Sequence, residues 1–278
     1  MIEIKFEAKR AIAILTTLMM VLLVVNLTYA KVVENVPPVG VWLFEEGKGT
    51  VAKDSSESKN DGTLKGAVKW VKGKFGSGLE FAGKATDYVE IPNSESLGMT
   101  EQMTVVLWFK TEKKMAEATK WDDRQVVIGK HYTEYEIGIY PLGFVHTYTN
   151  KGDGKGYDEG IMASMKGKVD PDWKLGTWYH FAWTLNGKKE IAYVNGIKIG
   201  EFEKANANTM ALKNPLEIGR RVGGSLPFTG TIDEVAVFNV ALNAGFIKRI
   251  VEEGLSATTA VEPTGKLSTT WSTLKSQR

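Results

Sequence analysis

Residues 176–196 read GTWYHFAWTLNGKKEIAYVNG, and this stretch indicates the fold. Apolar side chains alternate along its first half, which places on one face of an extended chain Tyr179, Phe181, Trp183 and Leu185. A period of two is typical of a β-strand. The Asn-Gly pairs at 186–187 and 195–196 predict a turn at each end of the strand that follows. Because both faces of the first strand carry bulky or apolar side chains, the stretch predicts a hairpin inside a sheet that packs against another sheet.

Short apolar segments separated by turns rich in Gly, Asn and Asp continue this pattern along the chain. They predict strands at 39–44, 78–81, 88–91, 103–110, 125–129, 134–140, 144–149, 177–185, 190–194, 197–202, 216–219 and 231–238. Two long polar stretches, 45–64 and 150–172, are predicted to be irregular. One helix is predicted at 242–253, capped by Asn243 and ended by Gly254. The pattern therefore predicts an all-β fold, a two-sheet antiparallel jelly-roll sandwich with one short C-terminal helix.

The hairpin and three further segments resemble the laminin-G-like domains of the concanavalin A-like lectin and glucanase superfamily. The three segments are GVWLFEEGKGTVAKDSSESKNDGTL at 40–64, KFGSGLEFAGKATDYVEIP at 74–92 and FTGTIDEVAVFNVAL at 228–242. All four occur in the family's order, and together they cover roughly residues 40–255. The resemblance implies a jelly-roll sandwich, but it implies no single function, because this superfamily includes enzymes, lectins and structural modules.

The N-terminal 30 residues have the pattern of a secretory signal peptide. A basic segment precedes an apolar run from Ala11 to Val25, and the small residues Thr28 and Ala30 predict cleavage after Ala30. An uncleaved membrane anchor stays open as an alternative, although the run is shorter than the ~20 residues of a spanning helix. The mature protein is therefore predicted to be secreted, periplasmic or on the cell surface.

The rest of the chain is predicted to contain a single folded domain. The linker at 31–39 contains Pro37-Pro38, and the laminin-G-like domain follows at 40–255. The tail at 256–278 is rich in Ser and Thr, which predicts a disordered or weakly docked terminus.

Charge and cysteine content exclude several classes of partner and site. Lys and Arg number 35 against 33 acidic residues, a net charge of +2, and no charge block indicates nucleic-acid binding or polybasic membrane binding. The absence of cysteine excludes disulfides, thiolate metal sites and a thiol nucleophile. We predict no nucleic-acid partner, and no membrane partner after signal cleavage.

The sequence predicts no catalytic residue. Glycoside hydrolases need two carboxyl groups flanking the scissile bond, and the glucanases of this superfamily carry them as alternate acidic residues in a Glu-x-Asp-x-x-Glu type run. Glu134 and Glu136 are the nearest approach, without the third carboxylate. Neighbouring Lys130, His131 and Tyr132 predict that these carboxylates are solvated or paired, and their Gln variants are expected to fold normally. A Gly-x-Ser-x-Gly nucleophile motif is also absent.

A structural calcium site is implied by the resemblance. Many relatives hold calcium with an aspartate at the place of Asp233 and with ligands from the first strand and the following loop, where this chain offers Glu45 and Asp54. Carboxylates and carbonyls in irregular loops are the ligands that calcium prefers. In the alternative interpretation, Asp233 caps its strand or binds a turn amide.

Aromatic residues gather in and around the second long irregular stretch. They are Trp121, Tyr132, Tyr135, Tyr140, His146, Tyr148, Tyr157 and Trp173, of which half or more are expected in the core. Trp121 and Tyr157 lie among Gly, Asp and Lys, so we predict that these two are exposed and bind a sugar.

The predicted function is that of a secreted, non-catalytic recognition or adhesion module with a structural calcium ion. Its partner is expected to be a glycan or an extracellular protein. A purely structural extracellular module and a divergent glycoside hydrolase stay open as alternatives.

Overall fold

The structure, a computed structural model, describes Thr17 and residues 19–20, 36–98, 100–113, 124–151, 155–204 and 210–259. The chain divides into two compact units, residues 1–36 and residues 37–278. In the first unit the structure describes Thr17, Met19 and Met20 as helical, and the rest of the predicted signal peptide lies outside the described residues. No helix in the described part combines the length and the apolar character that crossing a membrane requires.

The second unit is built from β-strands, with short helices at its C-terminal side. The described strands are β1 (Gly40–Trp42), β2 (Val51–Ala52), β3 (Gly62–Lys65), β4 (Lys69–Lys72), β5 (Ser77–Ala82), β6 (Tyr88–Ile91), β7 (Gln102–Thr111), β8 (Gln125–Gly129), β9 (Tyr135–Tyr140), β10 (Phe144–Asn150), β11 (Tyr157–Ser164), β12 (Tyr179–Asn186), β13 (Lys189–Val194), β14 (Ile197–Glu203), β15 (Leu216–Ile218) and β16 (Thr229–Phe238). Two helices follow them, α1 (Ala244–Glu253) and α2 (Leu255–Thr259).

The strands form two antiparallel eight-stranded sheets. Sheet A has the order β14-β13-β12-β7-β16-β5-β4, with β1 paired to β16. Sheet B has the order β11-β10-β9-β8-β15-β6-β3-β2. This confirms the predicted two-sheet antiparallel jelly-roll sandwich with a helix near its C-terminus.

The hairpin at 176–196 forms as predicted and lies inside sheet A. β12 pairs with β13 on one side and with β7 on the other, and the predicted inner row from Tyr179 to Leu185 belongs to the core. His180 and Ala182, on the opposite face, are also fully buried. The turn after β13 has positive φ at both central residues, 50° at Asn195 and 76° at Gly196, which is the requirement of a type I′ turn.

The residues of sheet B that lie in the core identify the side chains that point outward. In β9, Tyr135, Ile137 and Ile139 are buried in the core. Because successive side chains of a strand point to opposite faces, Glu136 and Tyr140 lie on the outward face. The same alternation around the core residue Val145 places the neighbouring residues of β10 on that face as well.

A buried carboxylate joins the two sheets across the sandwich interior. Glu190 of β13 in sheet A is fully buried and accepts hydrogen bonds from the Thr147 and Thr149 hydroxyls of β10 in sheet B, at 2.9 and 3.3 Å. Trp183 Nε1 donates to the same carboxylate at 3.0 Å. Gly160 of β11 leaves room for this contact, since a Cβ at this position would overlap both Thr147 Oγ1 and Glu190 Oε2. The two sheets are therefore joined by hydrogen bonds as well as by apolar packing.

Several elements differ from the prediction. The stretches 45–64 and 150–172 were expected to be irregular, yet they contain β2, most of β3 and all of β11. Strand β4 was not predicted, because its Lys-Trp-Val-Lys sequence lacks a buried alternate face. Helix α2 begins at Leu255, the last residue of the predicted domain, and extends into the predicted tail, where Thr258 is buried. Helix α1 begins as predicted, with Asn243 Oδ1 accepting from Phe246 N at 2.9 Å.

Candidate functional site

The outward side of β9, β10 and β11 carries a cluster of aromatic rings. We name as the tyrosine face Tyr132, Tyr140, His146, Tyr148 and Tyr157. The ring centroids of Tyr132 and Tyr157 are 5.3 Å apart and those of Tyr148 and Tyr157 are 5.2 Å apart, in edge-to-face arrangements. This geometry is a favoured one for aromatic pairs. Tyr157 is exposed, with 39% of its surface accessible, so its ring is available to a ligand.

A pocket of about 500 Å³ opens beside the exposed edge of this cluster. Its lining residues are Tyr132, Lys151, Lys155, Gly156, Tyr157 and Glu159. Aromatic walls with a few polar groups, in a pocket of this size, are typical of a site for a small ligand. The pocket therefore combines a flat aromatic surface with hydrogen-bonding groups at its rim.

The turn between β8 and β9 presents Tyr132 to the pocket. His131 has a φ of 81°, an uncommon value for a residue other than glycine, and its ring lies 4.0 Å from that of Tyr132. The turn is closed at its base by an ion pair between Lys130 Nζ and Glu134 Oε1 at 3.0 Å, with both side chains fully buried. Lys130 Nζ also donates to Asn93 Oδ1 at 2.9 Å. Strained backbone of this kind persists where surrounding contacts fix it, and it is common at functional sites.

Two arginines lie against the tyrosine face. Arg221 donates from Nε and Nη2 to Glu136 at 2.8 and 2.5 Å, and its guanidinium lies 5.0 Å from the centroid of the Tyr132 ring. Arg124 Nη1 donates to the hydroxyls of Tyr148 and Tyr140 at 2.6 and 2.9 Å. The guanidinium carbons of Arg124 and Arg221 lie 5.5 and 5.6 Å from the centroid of the Tyr148 ring, so both cations border this tyrosine.

His146 stays uncharged in this setting. Burial, together with the positive charges of Arg124 and Arg221, lowers the pKa of His146 to about 4. Its Nδ1 lies 3.0 Å from the Tyr140 hydroxyl, and burial raises the pKa of that hydroxyl well above its usual value. Both groups are therefore neutral near pH 7, so the arginines supply the positive charge of the tyrosine face.

The sequence identified only part of this site. Tyr157 is exposed as predicted, although it lies at the start of β11 rather than in a loop, and its role in binding stays a prediction. Trp121 lies outside the described residues. Tyr135 and Trp173, from the same aromatic group, belong to the core. The sequence analysis did not identify the arginines, because no local motif signals a pairing such as that of Arg221 with Glu136 across 85 positions.

Asp233, the predicted principal calcium ligand, organises a turn. Its carboxylate is fully buried and accepts from the amides of Lys74, Phe75 and Glu234 at 2.8 to 2.9 Å. Burial raises the pKa of Asp233 to about 8, against the opposing effect of the Phe75 amide. Since a carboxylate offers about four lone-pair positions, three amide donors leave little capacity for an ion.

The other two predicted ligands lie in different surroundings. Asp54 is buried and accepts four hydrogen bonds, from Val41 N, Asn60 N and both the amide and hydroxyl of Ser56. It therefore holds the loop that follows β2. Glu45 lines a cavity of about 300 Å³ whose other acidic residues are Glu234 and Glu253.

Glu45 and Glu234 thus share a cavity that Asp54 does not line. The Glu45 carboxylate lies over Gly76, where a Cβ would overlap it. Within the described ranges, no group of three or more His, Asp or Glu side chains is arranged to hold a metal ion. Two of the residues that line this cavity, Glu45 and Glu234, carry carboxylates.

The two glutamates closest to a glycosidase pattern are both paired. Glu134 contacts Lys130, and Glu136 receives both donors of Arg221. Pairing was one of the two predicted states, whereas solvation is excluded by exposures of 0% and 1%. The prediction that their Gln variants fold normally stays untested, and the pairing weighs against it, because each change would leave a buried cation without its charged partner.

The fold has relatives among known proteins. A family model described as the concanavalin A-like lectin/glucanases superfamily, laminin G type, matches residues 82–248. A search of curated proteins gave no match. Among solved structures, the binding domain of Paraclostridial Mosquitocidal Protein 1 superposes with a TM-score of 0.63 and 17% identity, covering 77% of this chain and 52% of that one.

Two further similar structures contain a sugar. Domain 4 of AbnA, a GH43 extracellular arabinanase from Geobacillus stearothermophilus in complex with arabinotriose, has a TM-score of 0.58 and 18% identity, covering 78% of this chain and 99% of that one. The ligand binding domain of botulinum neurotoxin serotype D, in complex with N-acetylneuraminic acid, has a TM-score of 0.61 and 12% identity, covering 78% and 50%. The chain spans about half the length of the toxin binding domains that it matches.

Proposed function

Because the chain belongs to the laminin-G-like family of the concanavalin A-like lectin/glucanase superfamily, we propose that it is a non-catalytic module that binds a glycan at the tyrosine face. The observation that carries this proposal is the pocket of about 500 Å³ between Tyr132 and Tyr157. The arabinotriose of the arabinanase domain and the N-acetylneuraminic acid of the neurotoxin domain support it, since both proteins share the fold. We further propose that residues 1–30 direct export, which would bring the module to extracellular glycans.

The chemistry of the pocket suits a sugar ring. The Tyr157 and Tyr132 rings offer flat apolar surface for the C–H groups of a pyranose or furanose. Lys151 and Glu159 offer a donor and an acceptor for its hydroxyls. Tyr132 is held by the β8–β9 turn and Tyr148 by Arg124. The rings are therefore preorganised, which reduces the entropic cost of binding.

Tyr157→Ala is expected to weaken glycan binding about tenfold or more, because it removes one wall of the pocket, and tenfold corresponds to about 1.4 kcal/mol. Affinity electrophoresis or calorimetry on a panel of polysaccharides measures the effect. Phe202→Ala is the matched control, since Phe202 is a similarly exposed aromatic residue on sheet A, with 37% accessible surface. Equal affinity of the Tyr157 variant and the native protein would contradict the site. A folded native protein that binds no glycan on the panel would favour a purely structural role.

We also propose a structural calcium ion in the cavity lined by Glu45 and Glu234. A cation there would offset the mutual repulsion of Asp233 and Glu234, which contributes to the raised pKa of Asp233. It would also tie the segment after β1 to β16 near the end of the domain. This assigns to Glu234 the role predicted for Asp54, and leaves Asp233 as the residue that fixes the turn beside the ion.

Calcium is expected to raise the melting temperature by several degrees, because an ion that binds only the native state at a hundredfold excess over Kd adds about 3 kcal/mol. Thermal unfolding in calcium and in chelator measures the difference, and Glu45→Gln should abolish it. Glu203→Gln, an exposed change in β14, serves as the control. Identical melting curves with calcium and with chelator would contradict the proposal.

A further inference from the structure

We propose that the glycan bound at the tyrosine face is anionic and that its carboxylate or sulfate group pairs with Arg124. This inference rests on the proposed function and adds the chemical class of the ligand. It starts from the charge balance of the arginines on the outward side of sheet B.

Arg124 differs from the two other arginines on this side of the sheet. Arg220 pairs with Glu217 through Nε and Nη2 at 2.7 and 3.1 Å, and Arg221 pairs with Glu136 in the same bidentate way. Arg124 has no carboxylate partner among the residues that the structure describes, and its polar contacts there are the two tyrosine hydroxyls. Its Nε is buried without a hydrogen-bond partner.

The groups around Arg124 do not neutralise its charge. Tyr140 and Tyr148 act as neutral acceptors, since a hydroxyl in its protonated form carries no charge. His146 is neutral and accepts no proton until about pH 4. The Glu136 carboxylate, which lies beside Tyr148 in the β9–β10 register, is engaged by Arg221. One positive charge of the tyrosine face therefore remains unbalanced within the described residues.

Among the described residues Arg124 has only neutral partners, and a partly buried cation in such a setting is costly, because it has lost water without gaining an opposite charge. A ligand anion would restore the missing interaction. The planar guanidinium suits a carboxylate or a sulfate, which it can bind through two parallel N–H donors. The contact between Tyr148 and Tyr157 places Arg124 one ring away from the pocket. A glycan that extends from Tyr157 across Tyr148 would bring an acidic substituent to the cation.

The test compares glycans that differ only in charge. One pair is an oligogalacturonide and its methyl ester, and a second pair is a sulfated galactan before and after desulfation. Calorimetry at two salt concentrations gives each affinity. We expect the native protein to bind at least one anionic member about 10- to 100-fold more tightly than its neutral counterpart, with a difference that shrinks as salt rises. The pair that shows the preference identifies the anionic group.

Two variants assign the preference to Arg124. Arg124→Met removes the charge and keeps the apolar stem, so it should bind the charged and neutral members equally. Arg124→Lys keeps the charge without the planar fork, so it should retain a reduced preference. Lys198→Met, on exposed β14, is the control and should behave as the native protein. Circular dichroism monitors folding, and if the Met variant unfolds, the Lys variant and the salt dependence of the native protein decide.

The outcomes separate this inference from the proposed function. Equal affinity of the native protein for charged and neutral members, or a full preference retained by the folded Met variant, overturns the anionic assignment while glycan binding stands. A folded native protein that binds no member of either pair and no glycan of the wider panel overturns the proposed function, and the inference with it.

Discussion

Lys130→Met is expected to lower the free energy of unfolding by about 3–5 kcal/mol, because it leaves a buried carboxylate uncompensated. Lys130 and Glu134 are both fully buried and 3.0 Å apart. Burial raises the pKa of Glu134, against the opposing effect of Lys130. Without the lysine, Glu134 must take up a proton or expose itself to water. Urea denaturation of the native and variant proteins measures the difference.

The double variant Lys130→Met, Glu134→Leu serves as the internal control. Replacement of a whole buried pair by apolar residues is often nearly neutral, so the double variant should recover most of the loss. Lys248→Met breaks an exposed pair with Glu252 at 3.7 Å and should cost at most about 1 kcal/mol. A single variant as stable as the native protein, or a double variant no better than the single one, would show that the pair does not support the turn.

Glu190→Ala is expected to cost about 3 kcal/mol or more, since three buried donors lose their acceptor and each unsatisfied group costs about 1–3 kcal/mol. The donors are Thr147, Thr149 and Trp183, and the first two belong to the opposite sheet. Thermal and urea unfolding measure the loss. Trp183 fluorescence reports whether the indole environment changes.

Glu190→Gln separates the hydrogen bonds from the charge. Its amide oxygen can replace Oε2, which accepts from both Thr147 and Trp183, so this variant should lose clearly less stability than the alanine variant. Glu201→Ala removes an exposed carboxylate of sheet A and should change stability little. Equal losses in the Ala and Gln variants would indicate that the carboxylate charge, with Lys204 nearby, matters more than the three donors.

The sequence predicted most accurately the strands that carry long apolar runs. β7, β12 and β16 are central strands with long apolar runs, and their positions agree with the structure within two residues. β4 was missed because it is a short Lys-Trp-Val-Lys segment, and β11 because Asp158, Glu159 and Gly160 interrupt its apolar residues. Hydrogen bonding to a neighbouring strand stabilises both strands. The sequence of one strand alone does not indicate which strand it pairs with.

Of the candidate site, the sequence predicted correctly only the exposure of Tyr157, which its polar neighbours indicate. Glu134 and Glu136 show the limit, since alternation suggested that they share a strand face. In the structure Glu134 lies in the turn before β9 and contacts Lys130, four residues away, whereas Glu136 contacts Arg221, far along the chain. The charge state of the tyrosine face depends on such long-range pairings, which the pattern of one sequence does not contain.

The borders of the two sheets bear on how the protein behaves at high concentration. The outer strands of sheet A are β4 and β14. Their exposed charged side chains are Lys69 and Lys72 in β4, and Lys198 and Glu201 in β14. A free strand border offers unpaired amides and carbonyls to a strand of another molecule, and charged side chains at the border oppose such pairing by repulsion and by the cost of dehydration. Lys69 and Lys72 made β4 hard to recognise in the sequence. We expect the same two residues to oppose intermolecular strand pairing and aggregation at this border.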